Sequence, residues 1–207
     1  MPPSSPPGLP FAHLNLRWNP FRELPLDDWA AVAEVDTAPY VAELTDPKSA
    51  LQFVGEKGHG KTTHLLAIRS RFESPGYVHI PEGERRDIPI GSPLFIDEAQ
   101  RLTIRQRHHV FRSPIPLVLG THRDFESALR RAGRKVLTID VATETTPERV
   151  HRLLNSRIAA ARRHPGDVPD ISLDTADRLL KEHGPNLRAI IHSLYDTFQQ
   201  LGTIDQI

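Results

Sequence analysis

Between residues 50 and 141 the chain alternates short apolar runs with stretches in which apolar side chains recur every three to four positions. Residues 50–54 (ALQFV) stop at Gly55, which predicts a strand followed by a turn. Residues 61–72 set Leu65, Leu66 and Ile68 against Arg69 and Arg71, the pattern of a helix. Further strands are expected at 77–80, 94–96, 115–119 and 136–141, and further helices at 99–111 and 124–132. Residues 81–93, with three prolines and two glycines, read as loop. Strands separated by helical crossovers imply an α/β fold, a parallel sheet covered by helices on both faces.

After residue 145 only the helical period remains. Thr146 is placed to cap a helix that has Pro147 at its first position and Val150, Leu153, Leu154 and Ile158 along one face. Leu173, Ala176, Leu179 and Leu180 mark a second helix beyond the connector at 164–170. A third runs through Leu187, Ile190, Ile191, Leu194, Phe198 and Leu201. Three parts are therefore expected: 1–45, a proline-rich arm and a short helix; 46–145, the α/β core; and 146–207, a small all-helical domain. Residues 1–10, with five prolines and two serines, read as a disordered or polyproline-like arm. Asp27 or Asp28 is placed to cap a short helix with Trp29, Val32 and Val35 inward.

Composition narrows the function classes. An apolar content of 38% over 207 residues supports a buried core and excludes wholesale disorder. The absence of cysteine excludes disulfides, thiolate-ligated zinc and thiol catalysis. No apolar run reaches the roughly 20 residues of a membrane span, and MPPSSPPGLP lacks the basic and apolar regions of a secretory signal. A cytoplasmic protein is expected. Lys+Arg and Asp+Glu balance at 26 each, so a uniformly basic nucleic-acid coat is excluded. The charge is uneven, however: residues 101–135 hold Arg101, Arg105, Arg107, Arg112, Arg123, Arg130, Arg131, Arg134 and Lys135 against Asp124 and Glu126. Such segregation suits an anionic partner such as DNA, an acidic neighbouring subunit or a solvated helix face.

Gly55-Glu56-Lys57-Gly58-His59-Gly60-Lys61-Thr62 matches the phosphate-loop pattern GxxxxGK[ST] in full, with a strand before it and a helix after it. Glycines let the backbone approach a polyphosphate closely, and the helix start, through Thr63, turns its N–H groups and positive dipole end on the anion. Lys61 supplies a charge to the β- and γ-phosphates, and Thr62 offers a hydroxyl to Mg²⁺. Leu94-Phe95-Ile96-Asp97-Glu98 puts two carboxyl groups at the C-terminal end of an apolar strand, the edge at which open α/β sheets bind ligands. Asp97 is suited to hold Mg²⁺ through water, and Glu98 to polarise an attacking water.

Together GEKGHGKT, LFIDE, a following strand that ends in LGT, and a helical domain that carries GPNLR resemble the AAA+ ATPases over residues 46–201. Within that group the chain looks nearest to small bacterial ATPases akin to the origin-recognition, transposition and secretion types. The resemblance implies a P-loop NTPase core with a helical lid that binds ATP and Mg²⁺. It implies that Thr121 acts as the sensor orienting water and γ-phosphate, and Arg188 as a second sensor on the lid. It also implies an arginine finger given to a neighbouring subunit, for which Arg130, Arg131 and Arg134 are the candidates. Arg188 has separate support: a cation in the first turn of a helix is mildly unfavourable unless an anion binds there. The chain departs from the family in its short proline-rich segment 81–93, which lacks a pore loop, so polypeptide threading is not expected.

Among rival functions, a GTPase would match Asp124 to the aspartate of NKxD, but the Asn and Lys are replaced and DEAQ stands where DxxG is needed. A small-molecule kinase fits less well because Glu98 beside Asp97 favours water activation. No HExxH is present for a metal site. The expected function is ATP hydrolysis that drives lid movement and partner engagement, with a homo-oligomer or a protein partner completing the site. The alternative is a nucleotide-gated interaction or DNA-associated regulatory module with little turnover.

Overall fold

A computed structural model describes residues 10–24, 34–204 and 207; residues 1–9 of the expected arm and the helix start at Asp27 or Asp28 lie outside the described residues. The chain divides into two units. One comprises Trp29–Glu144, and the other joins Met1–Asp28 to Thr145–Ile207.

The first unit is built on five parallel strands, β1 (Ser49–Val54), β2 (Gly76–His79), β3 (Leu94–Asp97), β4 (Leu117–Thr121) and β5 (Lys135–Asp140), in the order β2-β3-β4-β1-β5. Its helices are α1 (Ala38–Glu43), α2 (Lys61–Arg69), α3 (Ile104–Arg112) and α4 (Glu126–Arg131). Side chains of successive strand residues point to opposite faces, and both faces of β1, β3 and β4 are buried. Ala50, Leu94, Ile96, Leu117 and Leu119 pack against Val110, Phe111 and Leu129 on one side. Leu51, Phe53, Phe95 and Val118 pack against Leu65 and Ile68 on the other. This explains why the strands read as continuous apolar runs rather than alternating ones.

Two of the departures from the expected bounds have a definite cause. The strand expected at 115–119 is Leu117–Thr121, because pairing with β1 continues to the end of that strand, Val54 opposite Thr121. The single helix expected at 99–111 is a 3₁₀ turn at Ala99–Arg101 followed by α3. Thr103 stops continuity: its side chain accepts from the Gln106 N–H while the Gln106 side chain accepts from the Thr103 N–H, a capping box that starts a new helix.

The second unit contains α5 (Pro147–Ala161), α6 (Leu173–His183) and α7 (Leu187–Gln200). Thr146, Ser172 and Asn186 cap the three helices through their side-chain oxygens. Val150, Leu154, Ile158, Leu179, Ile190, Leu194 and Phe198 form its core together with Leu14, Leu16 and Phe21 from the N-terminal segment. Phe21 meets Phe198 edge-on at 4.9 Å. Buried Arg157 donates to the carbonyls of Pro20 and Arg22, and burial pushes its guanidinium down to about 10. The expected separate part at 1–45 is thus corrected: Leu14 to Phe21 complete the helical core, whereas α1 belongs with the sheet. These apolar side chains are too few to form a core of their own and are buried against the helices instead. No helix among the described residues is long and apolar enough to cross a membrane.

Candidate functional site

Strand register assembles the site. Asp97 is paired with His79 on one side and with Gly120 on the other, and Gly120 with Phe53. The C-terminal ends of β2, β3, β4 and β1 therefore come level at one sheet edge, where the loop of residues 55–60 leaves β1. Gly58 and Gly60 both have φ of 91°, a conformation that side-chain-bearing residues adopt at a cost. The first helical bond of α2 runs from His64 N–H to Gly60 O, so the amides of Lys61, Thr62 and Thr63 have no acceptor within the helix.

Side chains from three elements meet at this edge. Thr62 Oγ1 donates to Asp97 Oδ2 at 2.8 Å, and His79 Nδ1 lies 3.1 Å from the same oxygen. Asp97 is fully buried, and its Oδ1 accepts from the Glu98 N–H. Gly120 is required beside it, because a Cβ there would stand 2.8 Å from Asp97 Oδ1. Lys61 is buried, and its Nζ donates to Gly55 O at 2.8 Å and Glu56 O at 2.9 Å, folding the ammonium onto the loop. His59 Nδ1 in the same loop is buried with no hydrogen-bond partner among the described residues. Burial, aided by the charge of Lys61, holds His59 below the usual histidine range.

Glu98 has a left-handed backbone, φ 63°, which costs on the order of 1 kcal/mol and persists only where the surroundings impose it. Gln100 Nε2 donates to Glu98 Oε2 at 2.5 Å, Arg101 Nη2 lies 3.4 Å from that oxygen, and His122 Nε2 also lies 3.4 Å from it. Burial alone would raise the Glu98 carboxyl. The Gln100 hydrogen bond and the charges of Arg101, His122 and Lys61 outweigh it and hold the group below the usual carboxylate range. Glu98 is therefore an anion at neutral pH.

The expected residues 55–63, Asp97, Glu98 and Thr121 all come to this one edge. Thr121 is fully buried, and its hydroxyl donates to Arg123 O and accepts from Arg123 N–H, engaged within its own turn. The side chain that reaches Glu98 from the tip of β4 is His122. His79, Gln100 and His122 were not singled out in the sequence as members of the site. His79 ends a strand at the ligand-binding edge and was legible on that ground; the contacts of Gln100 and His122 carry no local signature. Asp124 accepts from the Glu126 N–H at the start of α4 and from buried Gln52 at 2.6 Å, a structural role.

The arginines separate. Arg134 is corrected: it is 6% exposed and donates to the carbonyls of Pro47, Val110, Phe111, Ser113 and Ile115. Val110 O and Phe111 O lie in the last turn of α3, where a cation is also favoured by the helix dipole. Arg134 thus closes a helix and is not available as a finger. Arg134→Met is expected to cost about 3 kcal/mol or more and to lower Tm by about 10 °C; a melt within about 2 °C of the parent would show that these carbonyls find other donors. Arg130 pairs with Glu126 and Arg131 donates to Ser127 O, both exposed in the last turn of α4. Arg188 is exposed in the first turn of α7, in the helical unit.

The basic stretch is also partly dissolved. Arg101 approaches Glu82 and Glu98, and Lys135 pairs with Asp46. Arg107 lies over the Phe125 ring. Arg105, His108, His109 and Arg112 remain exposed on α3. No protein-family profile matches the chain, and no curated protein matches it.

Proposed function

We propose that the chain binds Mg-ATP on the loop of residues 55–62 and hydrolyses it to ADP and phosphate, as an ATPase of the AAA+ type. The observation that carries this reading is the 2.8 Å bond from Thr62 to Asp97: the helix that follows the phosphate loop and the acidic strand end meet at one point. A hydroxyl and one carboxyl group suit Mg²⁺, which keeps several waters and takes its remaining ligands from substrate phosphates. Consistent with this, no group of three or more His, Asp or Glu among the described residues could hold a metal by itself. When bound, Mg²⁺ would neutralise charge on the phosphate oxygens.

The chain's own residues would do the rest. The amides of Lys61 to Thr63 face the anion, and the Lys61 ammonium exchanges its loop carbonyls for phosphate oxygens. Glu98, anionic at neutral pH, takes a proton from water as the water oxygen bonds to the γ-phosphorus. The bond from that phosphorus to the bridging oxygen breaks, and ADP leaves. Arg130 or Arg131 would complete a neighbouring subunit's site; a finger supplies 10³-fold or more, so specific turnover should rise with protein concentration. In the same reading the helical unit acts as the lid, carries Arg188 as second sensor and responds to nucleotide state.

Calorimetry tests the anchor. ATP with Mg²⁺ is expected to bind at micromolar to submillimolar concentration, and addition of EDTA to weaken binding markedly. No heat at millimolar ATP would refute the proposal. The exposed basic face of α3 favours a second reading, a nucleotide-gated regulator on DNA, which a steep salt dependence of duplex binding would support.

A further inference from the structure

We propose that His122 is a positioning residue for this hydrolysis, one that works by holding Oε2 of Glu98 so that Oε1 is the oxygen presented to water. The inference rests on the ATPase reading and adds a residue that the resemblance does not supply.

Three nitrogen-bearing side chains converge on one carboxylate oxygen from two places in the fold, Gln100 as a hydrogen-bond donor and Arg101 and His122 each at 3.4 Å. Gln100 and Arg101 come from the 3₁₀ turn after β3, and His122 from the tip of β4. The His122 main-chain N–H also donates to Gln100 Oε1 at 3.3 Å. Glu98, Gln100 and His122 therefore form a closed ring of contacts. Its Glu98 member has a strained backbone and a side chain only 13% exposed. A glutamate ordinarily samples many rotamers at a substantial entropic gain; gripping one oxygen removes that freedom and points the other in one direction. His122 reaches further: its Nδ1 lies 3.5 Å from Oε2 of Glu56 in the phosphate loop. One imidazole thus spans the acid end of β3 and the loop that would receive the nucleotide. Thr121, expected to serve the tip of β4, is buried in its own turn, which leaves His122 as the group from that strand in contact with the base.

The experiment compares the parent chain, His122→Ala, His122→Gln, Glu98→Gln and the His122→Ala/Glu98→Gln double variant. ATP affinity is read by calorimetry and turnover by release of labelled phosphate at saturating Mg-ATP. Small misplacements of a reacting group cost large factors, so His122→Ala is expected to lower kcat about tenfold or more with ATP affinity changed less than about threefold. His122→Gln, whose amide can donate to the same oxygen, should recover much of the loss. In the Glu98→Gln background, removal of His122 should have less than about a twofold further effect, because the residue acts through Glu98. A kcat within about twofold of the parent in His122→Ala, or a full further loss in the double variant, overturns the inference and leaves the ATPase reading standing. Absence of ATP binding by the parent chain overturns both, and binding without turnover removes the base that His122 is said to hold.

Discussion

Lys61→Ala is expected to weaken ATP binding about a thousandfold. The ammonium is buried at the start of α2 and bonded to two carbonyls of its own loop, so it is already at the place where the polyphosphate would lie. Two unit charges about 4 Å apart near a protein surface interact by about 4 kcal/mol, and each 1.4 kcal/mol is about tenfold in affinity. Lys57, exposed on the loop, is screened by water and cannot substitute. The same change leaves Gly55 O and Glu56 O without that donor, so a melt must accompany the titration. Calorimetry that finds affinity within about tenfold of the parent, in a variant that remains folded, would mean that the loop is not the phosphate site.

Glu98→Gln should leave ATP affinity nearly intact and lower turnover by about 10² to 10⁴, the range for loss of a positioned general base. The substitution preserves shape and keeps an oxygen that can accept from Gln100, so the local arrangement survives; it removes the group proposed to take the proton. Phosphate release measured against ATP affinity separates the two effects. Turnover retained within about twofold would remove Glu98 from the chemistry and point to another base at the same edge. His79, close to Asp97 Oδ2, is the next group to test.

The α/β order and the loop were legible because both are written locally. Short apolar runs and the 3.6-residue helical period are set by neighbours within a few residues, and the phosphate-loop pattern is eight contiguous positions. Asp97 and Glu98 were legible for the same reason, since a strand that ends in two acids announces its edge. The break at Thr103 was also readable in principle, as Thr-x-x-Gln is a local cap pattern. The shift of β4 toward Thr121 was not, because it follows from the length of β1 across the sheet.

Local pattern thus accounts for the strand–helix alternation, the glycine cradle and the acidic strand end. Tertiary packing assigned the side chains that lie far apart in sequence but meet in space. Arg134 reaches Pro47 across 87 positions and Arg157 reaches Pro20 across 137. A guanidinium satisfies orphan carbonyls as readily as it meets a phosphate, and only its burial distinguishes the two. Leu14, Leu16 and Phe21 belong to the helical core for a similar reason: an apolar side chain carries no address, and which surface removes it from water is decided by the folded chain.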